Sequence, residues 1–155
     1  MKKLSLLFAF GLLFLVGCSN EMSGPSTTVC TNAPASVVST ADDVVVTIIG
    51  YDEDIITWTE RMTMSPAAYT DFFFGFEMSL EDISEFFTLL EEPIEGESWH
   101  LISINEDTMV FELRFDYNDI PLATLNGIWG TTNFHNEVTL SAAIAGLNDA
   151  DASCN

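Results

Sequence analysis

Ile55-Ile56-Thr57-Trp58-Thr59-Glu60-Arg61-Met62-Thr63-Met64 alternates between apolar and polar residues. Ile56, Trp58, Met62 and Met64 fall on one face, with Glu60 the exception. Thr57, Thr59, Arg61 and Thr63 fall on the other. A period of two sustained over this length predicts a strand buried on one side. The β-branched run Val44–Ile49 precedes it, and Gly50-Tyr51-Asp52-Glu53-Asp54 between them is turn-forming. The two segments therefore read as a hairpin with a threonine-rich outer face.

Outward from this hairpin the pattern changes. Ser65-Pro66 looks like a helix start, with a cap residue before a first-position proline. The segment that follows, to Met78, carries Phe72, Phe73, Phe74 and Phe76 around Gly75. Most of these rings are expected in the core, a ligand-facing aromatic wall being the alternative. Ser79-Leu80-Glu81-Asp82 resembles a capping box, and Ile83, Phe86, Phe87 and Leu90 recur at helical spacing until Pro93 and Gly96 end the helix. Trp99–Ile104 reads as a third strand. Thr108–Tyr117 reads as the fourth, with Met109, Phe111, Leu113, Phe115 and Tyr117 facing inward and Glu112, Arg114 and Asp116 outward. Asp119 is placed to cap a short helix near Pro121. Gly127–Asn136 reads as a loop around Trp129, and Val138–Leu147 as a final helix with a polar tail to Asn155. The expected fold class is α+β. An antiparallel sheet of about four strands in two hairpins, with two or three helices packed on one face, would fill residues 42–155.

Ahead of this domain stands a different kind of sequence. Lys2 and Lys3 precede the apolar run Leu4–Val16, broken only by Ser5. At about 1.5 Å per residue the run spans roughly 20 Å, short of a ~30 Å hydrocarbon core, so it reads as a signal peptide over residues 1–17. Leu15-Val16-Gly17-Cys18 looks like a bacterial lipobox. The Cys18 thiol would accept a diacylglyceryl group, and small Gly17 leaves room for a signal peptidase at the scissile bond. Secretion without lipid is the alternative. Two acyl chains suffice for stable anchoring, so the expected location is the bacterial cell envelope, on the extracytoplasmic face of a membrane. Residues 18–41, rich in Ser, Thr, Asn, Ala and Pro, read as the lipidated cysteine and a flexible tether.

Removing the leader leaves Arg61 and Arg114 against all 24 acidic residues, and the net charge of the full chain, −20, becomes −22. Such a balance argues against nucleic acid and against electrostatic docking to anionic lipid. It reads first as a solvated surface, and second as a surface that captures divalent cations or cationic peptides. Cys30 and Cys154 remain after Cys18, and an exported compartment permits them to pair. Free thiols are the alternative, and their spacing matches no zinc pattern.

No nucleophile elbow, phosphate loop, zinc-spaced histidine pair or calcium-loop signature is present, so no catalytic residue, metal or cofactor is implied. Gly127-Ile128-Trp129-Gly130 reads as a turn, and His100 and His135 as structural or exposed. Asp52, Glu53 and Asp54 could offer oxygen ligands to Ca²⁺ but read first as a solvated turn. A binding pocket would be concave and aromatic, lined by Trp58, Trp99 or Trp129. A hydrolase acting through scattered carboxylates would need two acids converging with separated pKa values.

The order of elements resembles the YehR-like bacterial lipoproteins, a family without an assigned biochemical activity. The resemblance rests on Val46-Thr47-Ile48, Tyr51-Asp52-Glu53-Asp54-Ile55, Phe115-Asp116-Tyr117, Leu122, Leu125 and Thr139-Leu140, within residues 42–150. It implies an α+β domain with helices on one face of an antiparallel sheet. The chain as a whole reads as a binding or envelope-structural module without enzyme activity. It departs in charge: the family's strands are lysine-rich, and the mature part of this chain has no lysine.

Overall fold

The computed structural model describes residues 24–35, 38–92 and 95–155. The leader, the cleavage site and Cys18 lie outside the described residues. In chain order the elements are β1 (Ser26–Thr31), β2 (Asp43–Tyr51), β3 (Asp54–Met64), α1 (Pro66–Phe72), α2 (Leu80–Leu90), β4 (Glu97–Ile104), β5 (Met109–Asp116), α3 (Leu122–Trp129), α4 (Phe134–Glu137), α5 (Leu140–Asp149) and β6 (Ser153–Cys154). The class is α+β. The six strands form one antiparallel sheet in the order β4-β5-β3-β2-β1-β6.

β3 sits inside the sheet, paired to β2 on one side and β5 on the other. Its inner face meets Val44, Val46 and Ile48 of β2 and Met109, Phe111, Leu113 and Phe115 of β5, all buried. The helices cover this face with Ile83, Phe87, Leu125, Phe134, Leu140 and Leu147. The other face carries Thr59, Arg61 and Thr63 beside Glu112 and Arg114, and the Arg61 guanidinium lies 2.6 Å from the Glu112 carboxylate. Alternation along the strand thus separates a dry face from a wet one, as the period predicts.

One detail of that alternation differs. Ile49 pairs with Thr57 but Gly50 pairs with Ile55, so Ile56 is an extra residue at a bulge. The bulge turns Ile55 into the core and leaves Ile56 half-buried, opposite to the expected phase. It also brings the hairpin end up to α5. A Cβ on Gly50 would sit 2.7 Å from Leu140 Cδ2, which explains the glycine there.

The sheet has six strands rather than about four, and the additional two come from stretches read as tether and tail. Residues 26–31 form β1, antiparallel to β2 from Ser26↔Gly50 to Cys30↔Val46. β6 pairs with β1 at Cys30↔Cys154, where the two cysteines form a disulfide. Val29 and Asn155 exchange both backbone hydrogen bonds beside it. Ser-Thr-Thr-Val-Cys-Thr shows no apolar alternation, because this outer strand contributes one cysteine to the core and little else. Backbone pairing and the covalent link define these strands, and neither leaves a hydropathy signal.

Five helical segments occur among the described residues, against two or three expected. α2 has the capping box: Ser79 Oγ accepts from the Asp82 N–H and the Asp82 carboxylate accepts from the Ser79 N–H. α1 stops at Phe72, short of Met78. Gly127 does not break α3, which runs through it to Trp129, and the stretch read as a loop includes α4. Asn126 organises that connection. Its side-chain oxygen accepts from Phe134 N–H at 2.8 Å, and its amide nitrogen donates to the Thr132 carbonyl at 3.0 Å. These bonds are tertiary in character, so composition alone read the stretch as turn material.

The disulfide closes 124 residues of chain. Replacing Cys154 with Ser is expected to lower unfolding stability by about 2–5 kcal/mol, measured by urea denaturation. An unchanged midpoint would show that strand pairing alone holds the chain ends.

Candidate functional site

The three tryptophans separate into two environments. Trp58, on the inner face of β3, packs edge-on against Trp129 at 5.7 Å between centroids. Tyr117 and Phe134 complete this cluster, with rings 5.1 Å apart. It is filled rather than hollow. At its side lies Glu60, whose carboxylate is completely buried and accepts from Trp58 Nε1 at 2.8 Å. A buried carboxylate needs such partners, and the polar exception in the strand pattern is thereby explained. Burial pushes the Tyr117 hydroxyl above its ordinary range, and the Glu60 charge adds to the shift. The Trp129 indole nitrogen is close enough to oppose that shift, yet is buried without a well-aligned hydrogen bond.

Trp99 is the tryptophan that lines a concavity. Its ring stacks on Phe111 at 5.7 Å and 12°, and its indole N–H donates to Glu97 Oε1 at 2.7 Å. One wall of a cleft of about 270 Å³ is made by Trp99, Phe115, Ile120 and Ile128, while Glu92, Glu95 and Glu97 supply acid at its edge. Gly96 shapes the entry to β4. It adopts φ +83°, and a Cβ there would meet the Asp116 carbonyl and Ile120 at 2.7 Å each. Aromatic faces beside carboxylates suit an organic cation.

A second concavity of about 750 Å³ lies behind the turn after α1. Val38, Phe72, Phe73, Met78 and Phe86 line it, and Phe74 and Phe76 of the turn border it as well. The four phenylalanines expected mainly in the core divide evenly. Phe73 is buried and Phe72 packs on Trp99 and Phe111, but Phe74 is 91% exposed and Phe76 71% exposed. Helix α1 ends too early to turn the last two inward.

Of the three acids considered for calcium, Glu53 has a structural role. Glu53 accepts from Ser141 Oγ at 2.7 Å and Ser141 N–H at 3.2 Å, bonds that lower its pKa and fasten the start of α5 to the β2–β3 turn. Asp82 is lowered by Ser79, and Glu137 chiefly by Thr132. Among the described residues no group of three or more His, Cys, Asp or Glu side chains is arranged to hold a metal ion. His100 lies 3.3 Å from the Glu91 carboxylate at the surface, and His135 packs beside Phe134.

The NMR structure of the Escherichia coli YehR protein superposes with a TM-score of 0.55 at 12% identity, covering 85% of this chain and 93% of that one. The fold is YehR-like. An NMR structure of a protein from Streptococcus pneumoniae superposes with a TM-score of 0.58 at 12% identity, covering 100% and 97% of the two chains. At such low identity the likeness extends to the fold alone. No known family profile matches the chain, and no curated protein is similar in sequence. Among the described residues no helix is long and apolar enough to cross a membrane.

Glu60 offers the clearest mutational test of the interior. Glu60→Ala leaves a cavity and a buried indole N–H without its acceptor, so a loss of about 2–4 kcal/mol is expected in chemical denaturation. Glu60→Gln keeps an acceptor of the same shape and should lose much less. Equal losses would mean that charge, rather than the Trp58 hydrogen bond, is what the site requires.

Proposed function

We propose that this protein is an extracytoplasmic lipoprotein, cut before Cys18 and diacylated there, whose domain has a binding or envelope-structural role rather than an enzymatic one. The observation that carries this reading is the leader ending in Leu15-Val16-Gly17-Cys18. The Cys30–Cys154 disulfide is in keeping with an exported location, since such links persist in oxidising compartments. The YehR-like fold supports the same reading, on the resemblance noted from the sequence. Glu53, Asp82 and Glu137 accept hydrogen bonds from Ser141, Ser79 and Thr132, which gives these three acids structural roles in caps and turns.

Mass spectrometry of the mature protein tests the anchor. Loss of residues 1–17 and a diacylglyceryl adduct on Cys18 are expected. Cys18→Ser should lack the adduct and move the domain to the soluble fraction. An unmodified Cys18 in the membrane fraction would refute the reading.

A second reading is capture of a cationic peptide or a divalent cation by the acidic surface, and the Trp99 cleft, with aromatic rings beside Glu92, Glu95 and Glu97, favours its peptide form. Titration calorimetry separates its two forms. A lysine- or arginine-rich peptide should bind more weakly as salt rises, and Glu97→Gln should weaken it further. Heat from Ca²⁺ alone would favour the metal version, and no heat from either would remove both.

A further inference from the structure

We propose that the turn carrying Phe74 and Phe76 is a second membrane contact, inserting both rings into the bilayer on which the lipidated Cys18 holds the domain. The inference rests on the lipid-anchor reading above.

The turn is built to hold these rings outward. Phe74 and Gly75 both take left-handed backbone, at φ +59° and +78°. Phenylalanine seldom adopts that conformation, and here no burial of the ring offsets its cost. Three backbone hydrogen bonds fix the turn: Phe74 N–H to Asp71 O, Gly75 N–H to Thr70 O, and Phe76 N–H to Phe73 O, at 2.9, 2.9 and 3.1 Å. The rings therefore project from a fixed support, while Phe73 beneath them stays in the core. Phe74 and Phe76 also border an apolar hollow with Val38, Met78 and Phe86, so the exposed rings and the hollow form one continuous apolar surface. Large exposed apolar patches of this kind mark interaction sites.

Chain length and charge together favour a bilayer as the occupant. Cys18 lies eight residues before Ser26, where β1 begins, and a fully extended chain of that length reaches roughly 28 Å. The turn lies toward the other end of β1, because the β1–β2 connector at Val38–Thr40 lines the same hollow. β1 is six residues, or roughly 20 Å, long. An anchored domain can therefore lie along the surface with the turn at bilayer depth. A net charge of −22 prevents adhesion through anionic headgroups, which leaves apolar insertion as the available attraction. Asp71 and Glu77, the acids flanking the turn, are exposed and would stay in the headgroup layer.

The test uses the full lipidated protein in phosphatidylcholine vesicles. With Cys18 acylated and Cys30 bonded to Cys154, a thiol introduced by Glu77→Cys is the sole free one, and it can carry a nitroxide. Vesicle flotation reports the anchor. Collision of the nitroxide with oxygen and with an aqueous nickel chelate reports depth. The expected result is flotation with a severalfold drop in nickel collision, reversed when Phe74→Ser and Phe76→Ser are added, while flotation persists. A control label at Asp107→Cys, in the β4–β5 turn, should stay aqueous. A floating protein whose label at 77 remains aqueous overturns the second contact and leaves the anchor intact. Shielding that grows with protein concentration in the absence of vesicles assigns the patch to a second copy and also overturns it. Failure to float removes the anchor, and the inference with it.

Discussion

Burial of one face of β3 is the interaction on which the rest of the structure depends. This strand is paired on both sides, so its backbone is satisfied within the sheet. Its Trp58, Met62 and Met64 must then be covered from one direction, since Thr59, Arg61 and Thr63 hold the opposite face in water. The helices lie where they do because only that side is apolar. Glu60 is the consequence of this arrangement that most needed explaining. It falls in the buried register, and the Trp58 indole N–H supplies an acceptor's partner that water cannot.

The bulge at Ile56 links the sheet to its margin. By shifting the phase of β3 it sends Ile55 inward and brings the β2–β3 turn against α5, where Glu53 receives two hydrogen bonds from Ser141. The same residues thereby set both the curvature of the hairpin and the position of the last helix. Beyond α5 the chain returns to β1, and the Cys30–Cys154 bond joins the two ends of the domain. An acidic surface with two arginines has little attraction to hold its margins, so a covalent link there is well placed.

Glu53, Asp82 and Glu137, the carboxylates whose acidity is shifted, are all occupied in caps and turns. The Trp99 cleft and the exposed Phe74–Phe76 turn are surface features of another kind. The two differ in kind. The cleft pairs aromatic rings with acids, whereas the turn offers exposed hydrocarbon.

The β2–β3 hairpin, the inward face of β5 and the capped α2 were legible in the residues, because period and capping chemistry are local. The acid excess and the layout of the leader are likewise properties of sequence alone. β1, β6, the continuous α3 and the outward pair of phenylalanines were not legible. Strand pairing at a sheet margin depends on a distant partner, Asn126 acts through bonds to residues up to eight positions away, and the fate of Phe74 hung on where α1 stopped. Residue order alone set which faces are apolar and how the chain is charged. Which apolar residues found cover followed from packing, because burial is settled by what lies opposite each face, and no periodicity records that.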